Sequence, residues 1–312
     1  MIPETGGVGS LPPGCVDPPL VAVREAVARA LAEDLLPLGD LTASLVPESS
    51  TGRAALVVRS EGVVAGRLCA TESFAQVDPG LIVDWHFPDG SKVLPGNAVA
   101  EVSGQMRALL AAERTALNFL CHLSGVATMA RRYVEAVCAA NPATRVLDTR
   151  KTTPGLRALE KAAVRAGGAQ NHRGNLSEAV LVKDNHLVGL RMSEAVSLAH
   201  GRWPGRLVEV ECDRAEQVAE ALSAGASAVL LDNMTPDAVA YCVALVRERA
   251  GPGTVLVEVS GSVSLESAPA YARAGADLIS VGALTHSAPV LDISLDLIAV
   301  RGDEARPVLG GL

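Results

Sequence analysis

Six short apolar runs in the second half of the chain each stop on a charged residue, a serine or a glycine, and this repeated ending constrains the fold more than any other feature. The runs are Arg145–Asp148, Ala179–Val182, Leu207–Val210, Ala228–Leu231, Val255–Val259 and Leu278–Val281. Continuous apolar runs of this length read as strands buried on both faces. Most of the gaps between them carry helical patterning. Asp213 with Glu216 predicts a capping box. Thr235-Pro236 predicts an N-cap with Pro in the first helical turn, and Ser264 is a third candidate cap. Gly225 and Gly275 predict helix ends in the left-handed conformation, each leading through Ala into the next strand. Strand and helix in alternation define an α/β fold with a parallel sheet covered on both faces. Six such units favour an incomplete barrel, with an open doubly wound sheet as the alternative.

In parallel α/β folds the carboxyl ends of the strands gather on one side and carry the site. Here those ends are Thr149-Arg150-Lys151, Lys183-Asp184-Asn185, Glu211, Asp232-Asn233, Ser260-Gly261 and Gly282. The whole chain has a formal charge of −8, yet Arg150 to Arg191 holds Arg150, Lys151, Arg157, Lys161, Arg165, Arg173, Lys183 and Arg191 against Glu160, Glu178 and Asp184. Cations collected against the overall balance predict a local anion site; a solvated basic face is the plain alternative. Arg suits carboxylates and phosphates because its planar fork donates two parallel hydrogen bonds.

Glu211 and Asp232, on separate strand ends, fit Mg²⁺, which takes one or two carboxylates with waters and substrate phosphates. They fit sugar hydroxyls equally, or simple pairing with a nearby cation. Ser260-Gly261 and Gly282-Ala283 are turns where backbone N–H groups can approach a phosphate, or ordinary tight turns. Neither a Walker loop nor a dinucleotide G-x-G-x-x-G occurs in these turns. Arg173 offers a second fork, and His172 a proton donor or a hydrogen-bonding positioner. Lys183 ends an apolar strand, where burial is costly without an anionic partner. A Schiff-base role needs a lowered pKa, which an anion-rich site opposes. Asn118, Thr152 and His186 are candidate positioners.

The first part of the chain differs. Leu20, Val23, Val27 and Leu31 keep helical spacing up to Pro37. Short β-rich runs (Ala54–Arg59, Leu81–Trp85, Ala98–Val102) then alternate with Gly turns, and a helical stretch from Met106 to Cys138 follows, with an expected interruption at Ser124-Gly125. With 49% apolar but only 3% aromatic residues, Ala, Val and Leu must build the core. The acidic balance argues against nucleic acid as a partner. Six cysteines without C-x-x-C spacing fit reduced thiols, and neither a signal segment nor a membrane-spanning run is visible, so a cytoplasmic location is expected.

Several blocks together resemble the quinolinate phosphoribosyltransferase family. They are Glu113-Arg-Thr-Ala-Leu-Asn118, His122-Leu-Ser-Gly-Val-Ala-Thr128, Asp148-Thr-Arg-Lys-Thr-Thr-Pro-Gly-Leu-Arg157, Asn171-His-Arg173 and Lys183-Asp-Asn-His186. Glu209-Val-Glu211, Leu231-Asp-Asn233, Glu258-Val-Ser-Gly261, Ser280-Val-Gly282 and Asp292-Ile-Ser-Leu295 continue the resemblance, which spans roughly residues 20–298. It implies a flexible segment over 1–19, an N-terminal open α/β sandwich over 20–124, an incomplete α/β barrel over 125–289 and a C-terminal segment, 290–312, returning to the first domain. It also implies transfer of phosphoribosyl from phosphoribosyl pyrophosphate to quinolinate with Mg²⁺ and loss of CO₂. Arg150, His172, Arg173 and Lys183 would then face the quinolinate carboxylates. Thr149 lies beside them; Lys151, Glu211 and Asp232 would meet the cosubstrate and its metal. Ser260, Gly261, Ser262 and Gly282 would hold its 5′-phosphate. Arg114 would cross a homodimer interface into the partner's site. Lys151, Lys183, Glu211 and Asp232 form the implied catalytic group.

Two stretches depart from the family pattern: Gly174-Asn-Leu-Ser-Glu178 after Arg173, and Ser262 where Gly or Asn is common. A paralogous branch associated with molybdenum utilisation shares the implied fold but takes another base, and Arg150, Arg173 and Lys183 argue against it. A Schiff-base enzyme using Lys183 and a non-catalytic anion binder are the readings from other classes.

Overall fold

The computed structural model describes residues 17–301, so the reading of 1–16 and 302–312 falls outside the described residues. In chain order the elements begin α1 (Leu20–Leu35), β1 (Thr51–Val58), β2 (Gly62–Val63), α2 (Arg67–Val77), β3 (Ile82–Trp85), β4 (Lys92–Val93), β5 (Ala98–Gln105) and α3 (Met106–Ala140). They continue with β6 (Arg145–Leu147), α4 (Arg157–Ala166), β7 (Val180–Val182), α5 (Met192–Arg202), β8 (Val208–Cys212), α6 (Ala215–Ser223) and β9 (Ala228–Asp232). The last are α7 (Pro236–Ala250), β10 (Leu256–Ser260), α8 (Ala268–Arg273), β11 (Leu278–Ser280), α9 (Ala283–His286) and β12 (Ile293–Arg301). Two compact units result. One holds the chain up to Thr128, Ala158–Ala166 and the stretch from Pro289; the other holds Met129–Arg157 and Gly167–Ala288.

The first unit is built on an antiparallel sheet of order β12-β1-β5-β3, so the end of the described chain pairs along β1. One face of the sheet is covered by α2 and α3 through Leu56, Phe74, Leu109 and Leu120, all fully buried. The expected interruption of α3 at Ser124-Gly125 does not occur. Those residues are small because other backbone lies against them. Ser124 Oγ receives the Ala65 N–H at 3.0 Å, and Thr128 Oγ1 receives the Val63 N–H at 2.8 Å. A Cβ on Gly125 would meet the Pro289 carbonyl and come within 2.9 Å of Val290 Cα. Gly125→Ala therefore overpacks against backbone that has little room to move. It should cost about 1–3 kcal/mol, read as a lower denaturant midpoint with unchanged slope.

The second unit carries six parallel strands in the order β6-β11-β10-β9-β8-β7. This is the sequence of a barrel left open between β6 and β7, where Gln170 adds only an isolated parallel bridge to Leu147. The strand readings hold to within a residue or two. One shift matters: Glu211, Asp232 and Ser260 lie within the last two residues of their strands rather than after them. Thr235 caps α7 as expected, its hydroxyl accepting from the Ala238 N–H. Gly225 and Gly275 take φ 86° and 92° at the ends of α6 and α8. Two cap readings are corrected. Helix α6 starts one residue later than Asp213 implied, so its capping partner is Gln217, not Glu216, with Gln217 Oε1 accepting from the Asp213 and Arg214 amides. Ser264 closes the turn before α8, whose cap position is Ser267.

Candidate active site

The ends of β6, β7, β8, β9, β10 and β11 bring most of the sequence-derived residues to one side of the second unit, because all six strands run parallel. Asp148, fully buried just past β6, fixes the relation between two of these ends. It accepts from Asn171 Nδ2 at 2.7 Å and from the His172 amide at 2.8 Å. Arg157 spans the same gap: Nε donates to Thr152 Oγ1, Nη1 to the Gly174 carbonyl and Nη2 to the Arg150 carbonyl, at 3.1, 3.1 and 3.3 Å. Arg157 is thus consumed in holding the loop that presents Arg150, and Thr152 is its anchor. Thr149 Oγ1 accepts from the Lys151 amide at 3.1 Å, and Thr285 Oγ1 donates to the Lys151 carbonyl at 2.6 Å.

Arg150 and Arg173 are both half-buried and close enough to act on each other. Burial, and then the Arg150 charge, pull the Arg173 pKa below the ordinary guanidinium value, with Glu209 opposing. Arg173 Nη1 donates to the Ala179 carbonyl at 2.9 Å. Arg150 Nε, in contrast, is buried and has no hydrogen-bond partner among the described residues. A buried donor left unpaired is costly, and two guanidiniums close enough to repel each other form a site for an incoming anion.

Lys183 makes an ion pair with Glu211, which supplies the anionic partner its place at the end of β7 required. The next turn is closed by the Lys183 amide donating to His186 Nδ1 at 3.0 Å, so His186 orders this loop. Asp232 accepts from the Asn233 side-chain amide at 2.8 Å. Glu211 and Asp232 thus stand on neighbouring strand ends as hard oxygen donors. Beside them Asn233 and Ser262 take φ 54° and 46°, and Gly261 φ 93°. The left-handed backbone at Ser262 is a conformation that suits Gly or Asn better than Ser. A Cβ on Gly261 would run into the Asn233 side chain and come within 2.8 Å of its backbone nitrogen, so these two turns need the bare glycine. A Cβ on Gly282 would sit 2.9 Å from His286 Nε2 and 3.3 Å from Lys151 Cδ. The β11 turn therefore packs directly against two cationic or polar side chains, and His286 had escaped the reading of the sequence.

The segment after Arg173 is a self-contained turn. Glu178 accepts from the Gly174 amide at 2.7 Å and from Asn175 Nδ2 at 2.9 Å, and Asn175 Oδ1 accepts from the Ser177 amide at 2.8 Å.

His172 sits against two carboxylates and a backbone amide. Its Nε2 lies 3.2 Å from Glu209 Oε2 and 3.5 Å from Glu258 Oε1, and its Nδ1 is 2.8 Å from the Arg173 amide. Burial lowers the His172 pKa, but the Glu209 hydrogen bond and the Glu258 and Glu209 charges outweigh it and raise it overall. The Arg173 amide pulls the other way, favouring a lone pair on Nδ1. The two agree on Nε2, which carries a proton in either form. The ligand atoms of His172, Glu209 and Glu258 lie within 4.8 Å of one another, close enough for one shared cation. Neither glutamate was assigned a role from the sequence. The signal was a carboxylate inside an otherwise apolar strand, at Glu209 and at Glu258. Arg114 and Asn118, on α3 in the first unit, are exposed one helical turn apart.

An open α/β barrel with paired guanidiniums, a lysine–carboxylate pair and glycine turns at its strand ends defines an enzyme-type site for a small, highly anionic substrate. Comparison with known proteins sharpens that class. The chain belongs to the quinolinate phosphoribosyl transferase family: its N-terminal domain matches residues 40–124 and its C-terminal domain residues 126–296. A Bacillus subtilis relative, a probable nicotinate-nucleotide pyrophosphorylase (carboxylating), is 41% identical over 83% of this chain and 88% of its own length. The human nicotinate-nucleotide pyrophosphorylase (carboxylating) is also 41% identical, over 93% of this chain and 95% of its own. The solved structure of the Francisella tularensis nicotinate-nucleotide pyrophosphorylase superposes with a TM-score of 0.84 at 36% identity, covering 90% of this chain and 98% of that one.

Proposed function

We propose that this chain transfers phosphoribosyl from phosphoribosyl pyrophosphate to quinolinate, giving nicotinate mononucleotide, CO₂ and pyrophosphate. The observation that carries the reading is the Arg150–Arg173 pair with its unpartnered buried Nε. Quinolinate brings two carboxylates on adjacent ring carbons, a match for two guanidinium forks. Lys183 is the third cation of the clamp. Lys151 and the Ser260-Gly261-Ser262 and Gly282 turns suit the phosphates of the cosubstrate, where backbone N–H groups and one ammonium can converge.

In this reading the protein supplies no nucleophile. The clamp holds the pyridine nitrogen over C1 of the ribose as the bond to pyrophosphate breaks and C1 takes oxocarbenium character. The nitrogen lone pair forms the new bond. The ring nitrogen is then cationic, and its charge stabilises the electron pair left on the adjacent C2 when the 2-carboxylate departs as CO₂; that pair then bonds a proton on C2. Positioning and preorganised charge provide the acceleration. Glu211 and Asp232 fit Mg²⁺, which takes few protein carboxylates alongside water and phosphate; bound there, it would neutralise charge on the pyrophosphate. The proposal includes a homodimer in which exposed Arg114 reaches the partner's substrate, and a cytoplasmic setting, where free cysteines such as the five described stay reduced. Incubating purified protein with the cosubstrate, Mg²⁺ and either quinolinate or nicotinate tests the reading: product from quinolinate alone is the expected result.

A further inference from the structure

The one feature of the second unit that the proposed chemistry leaves unused is the buried pair of glutamates beneath the arginines. Glu209 is 3% exposed and Glu258 1%. They stand on β8 and β10, one strand apart, with a carboxylate oxygen of each within 4.8 Å of the other. Two carboxylates can share a hydrogen bond only if one of them carries a proton. Among the described residues Glu258 Oε1 has no hydrogen-bond partner; His172 Nε2 is 3.5 Å away and aimed at Glu209. An ionised Glu258 would therefore be a buried charge with an unsatisfied oxygen beside a second carboxylate, an arrangement that strongly favours the neutral acid. A metal ion is the other cation that could join these groups, and it would leave both carboxylates ionised, so the infrared test below separates it from a proton.

We propose that Glu258 is a positioning residue that acts by staying uncharged: its retained proton keeps the Arg150–Arg173 pocket net positive, and losing it weakens binding of the dianion. This rests on the dicarboxylate reading of the pocket and goes further by naming what sets its charge. Glu209 already acts on Arg173. A second ionised carboxylate in the same cluster would offset a guanidinium that the substrate needs. The groups facing Glu258 are Glu209 from β8, His172 with Arg173 behind it from the stretch after α4, and the Ser280 hydroxyl of β11. The β9 and β11 residues in register with it are Leu230 and Leu278. Burial first, and then Glu209, push the Glu258 pKa up to about 8, with His172 and Ser280 opposing. The acid is thus neutral below that pH and ionised above it.

The test is the pH profile of the wild-type protein and of Glu258→Gln, which mimics the protonated acid at every pH. For wild type, kcat/KM for quinolinate should fall about tenfold per pH unit above the Glu258 pKa, because one proton is required in the free enzyme. The bound dianion favours retention of the proton, so kcat should fall only at higher pH and the loss should first appear as a rise in KM. Glu258→Gln should remove this alkaline fall or move it up by at least about one unit. A variant that is weaker by the same factor at every pH, with the fall in place, would overturn the proposal. Should the variant not fold, isotope-edited infrared spectra of the wild-type protein decide: a buried carboxylic-acid band present at pH 7 and lost above pH 9 is expected, and its absence at pH 7 overturns the proposal. The infrared readout needs no turnover, so failure of the quinolinate reading remains distinguishable from failure of this one.

Discussion

Replacing Arg150 by Ala should lower kcat/KM for quinolinate by about 30- to 4,000-fold while leaving the melting temperature within a few degrees of wild type. The first number follows from removing one half of a buried charge pair with the substrate, worth about 2–5 kcal/mol, at about 1.4 kcal/mol per tenfold. The second follows from what Arg150 does in the folded chain. Its Nε has no partner among the described residues, so truncation orphans no group there. Its carbonyl, which anchors Arg157 Nη2 and the Thr152 amide, is retained in Ala. The expected pattern is therefore a folded protein with a damaged substrate clamp. Steady-state kinetics beside a thermal melt check both halves. Near-wild-type turnover would detach the guanidinium pair from catalysis.

Lys183→Met should cost about 10²- to 10³-fold in kcat/KM on the same arithmetic, and it should also destabilise. The ammonium is the ion-pair partner of Glu211, which is more buried than the lysine, with 18% against 41% side-chain exposure. Without it the carboxylate is left facing the pocket alone, repelling substrate phosphate. Lys183→Arg keeps the charge and should keep a larger share of activity, although the flat guanidinium cannot copy the ammonium's position. This variant also separates charge pairing from imine chemistry, because an arginine forms no Schiff base. Arginine activity above that of methionine, with no inactivation by borohydride in the presence of substrate, fits the charge role. Inactivation by borohydride would revive the imine reading.

The parts of this fold that were legible in the sequence were those fixed by local chemistry. Apolar runs such as Ala228–Leu231 announce strands because nothing else buries both faces of so short a segment, and Thr235-Pro236 announces a helix start because its hydroxyl and ring suit only that position. The strand ends named the pocket's cations for the same reason. What stayed hidden depended on contacts between distant residues. Gly125 read as a helix break, whereas its lack of a side chain is demanded by Pro289 and Val290, far along the chain. Arg157 read as one more cation of the anion site, whereas its three hydrogen bonds hold the Arg150 loop in place. The surroundings of His172 were hidden in the same way: its proximity to Arg173 was visible, and the glutamates it meets on β8 and β10 were not. The departure after Arg173 was opaque for the same reason: Glu178 closes a turn of its own, accepting from the Gly174 amide and from Asn175 Nδ2.

The most direct test of the central claim is to follow both products from quinolinate labelled with ¹³C in its 2-carboxylate, with phosphoribosyl pyrophosphate and Mg²⁺. Nicotinate mononucleotide and labelled CO₂ in equal amounts, with none of the nucleotide when nicotinate replaces quinolinate, is the predicted result. A folded protein that releases no labelled CO₂, or that makes the nucleotide from nicotinate as readily, would contradict it.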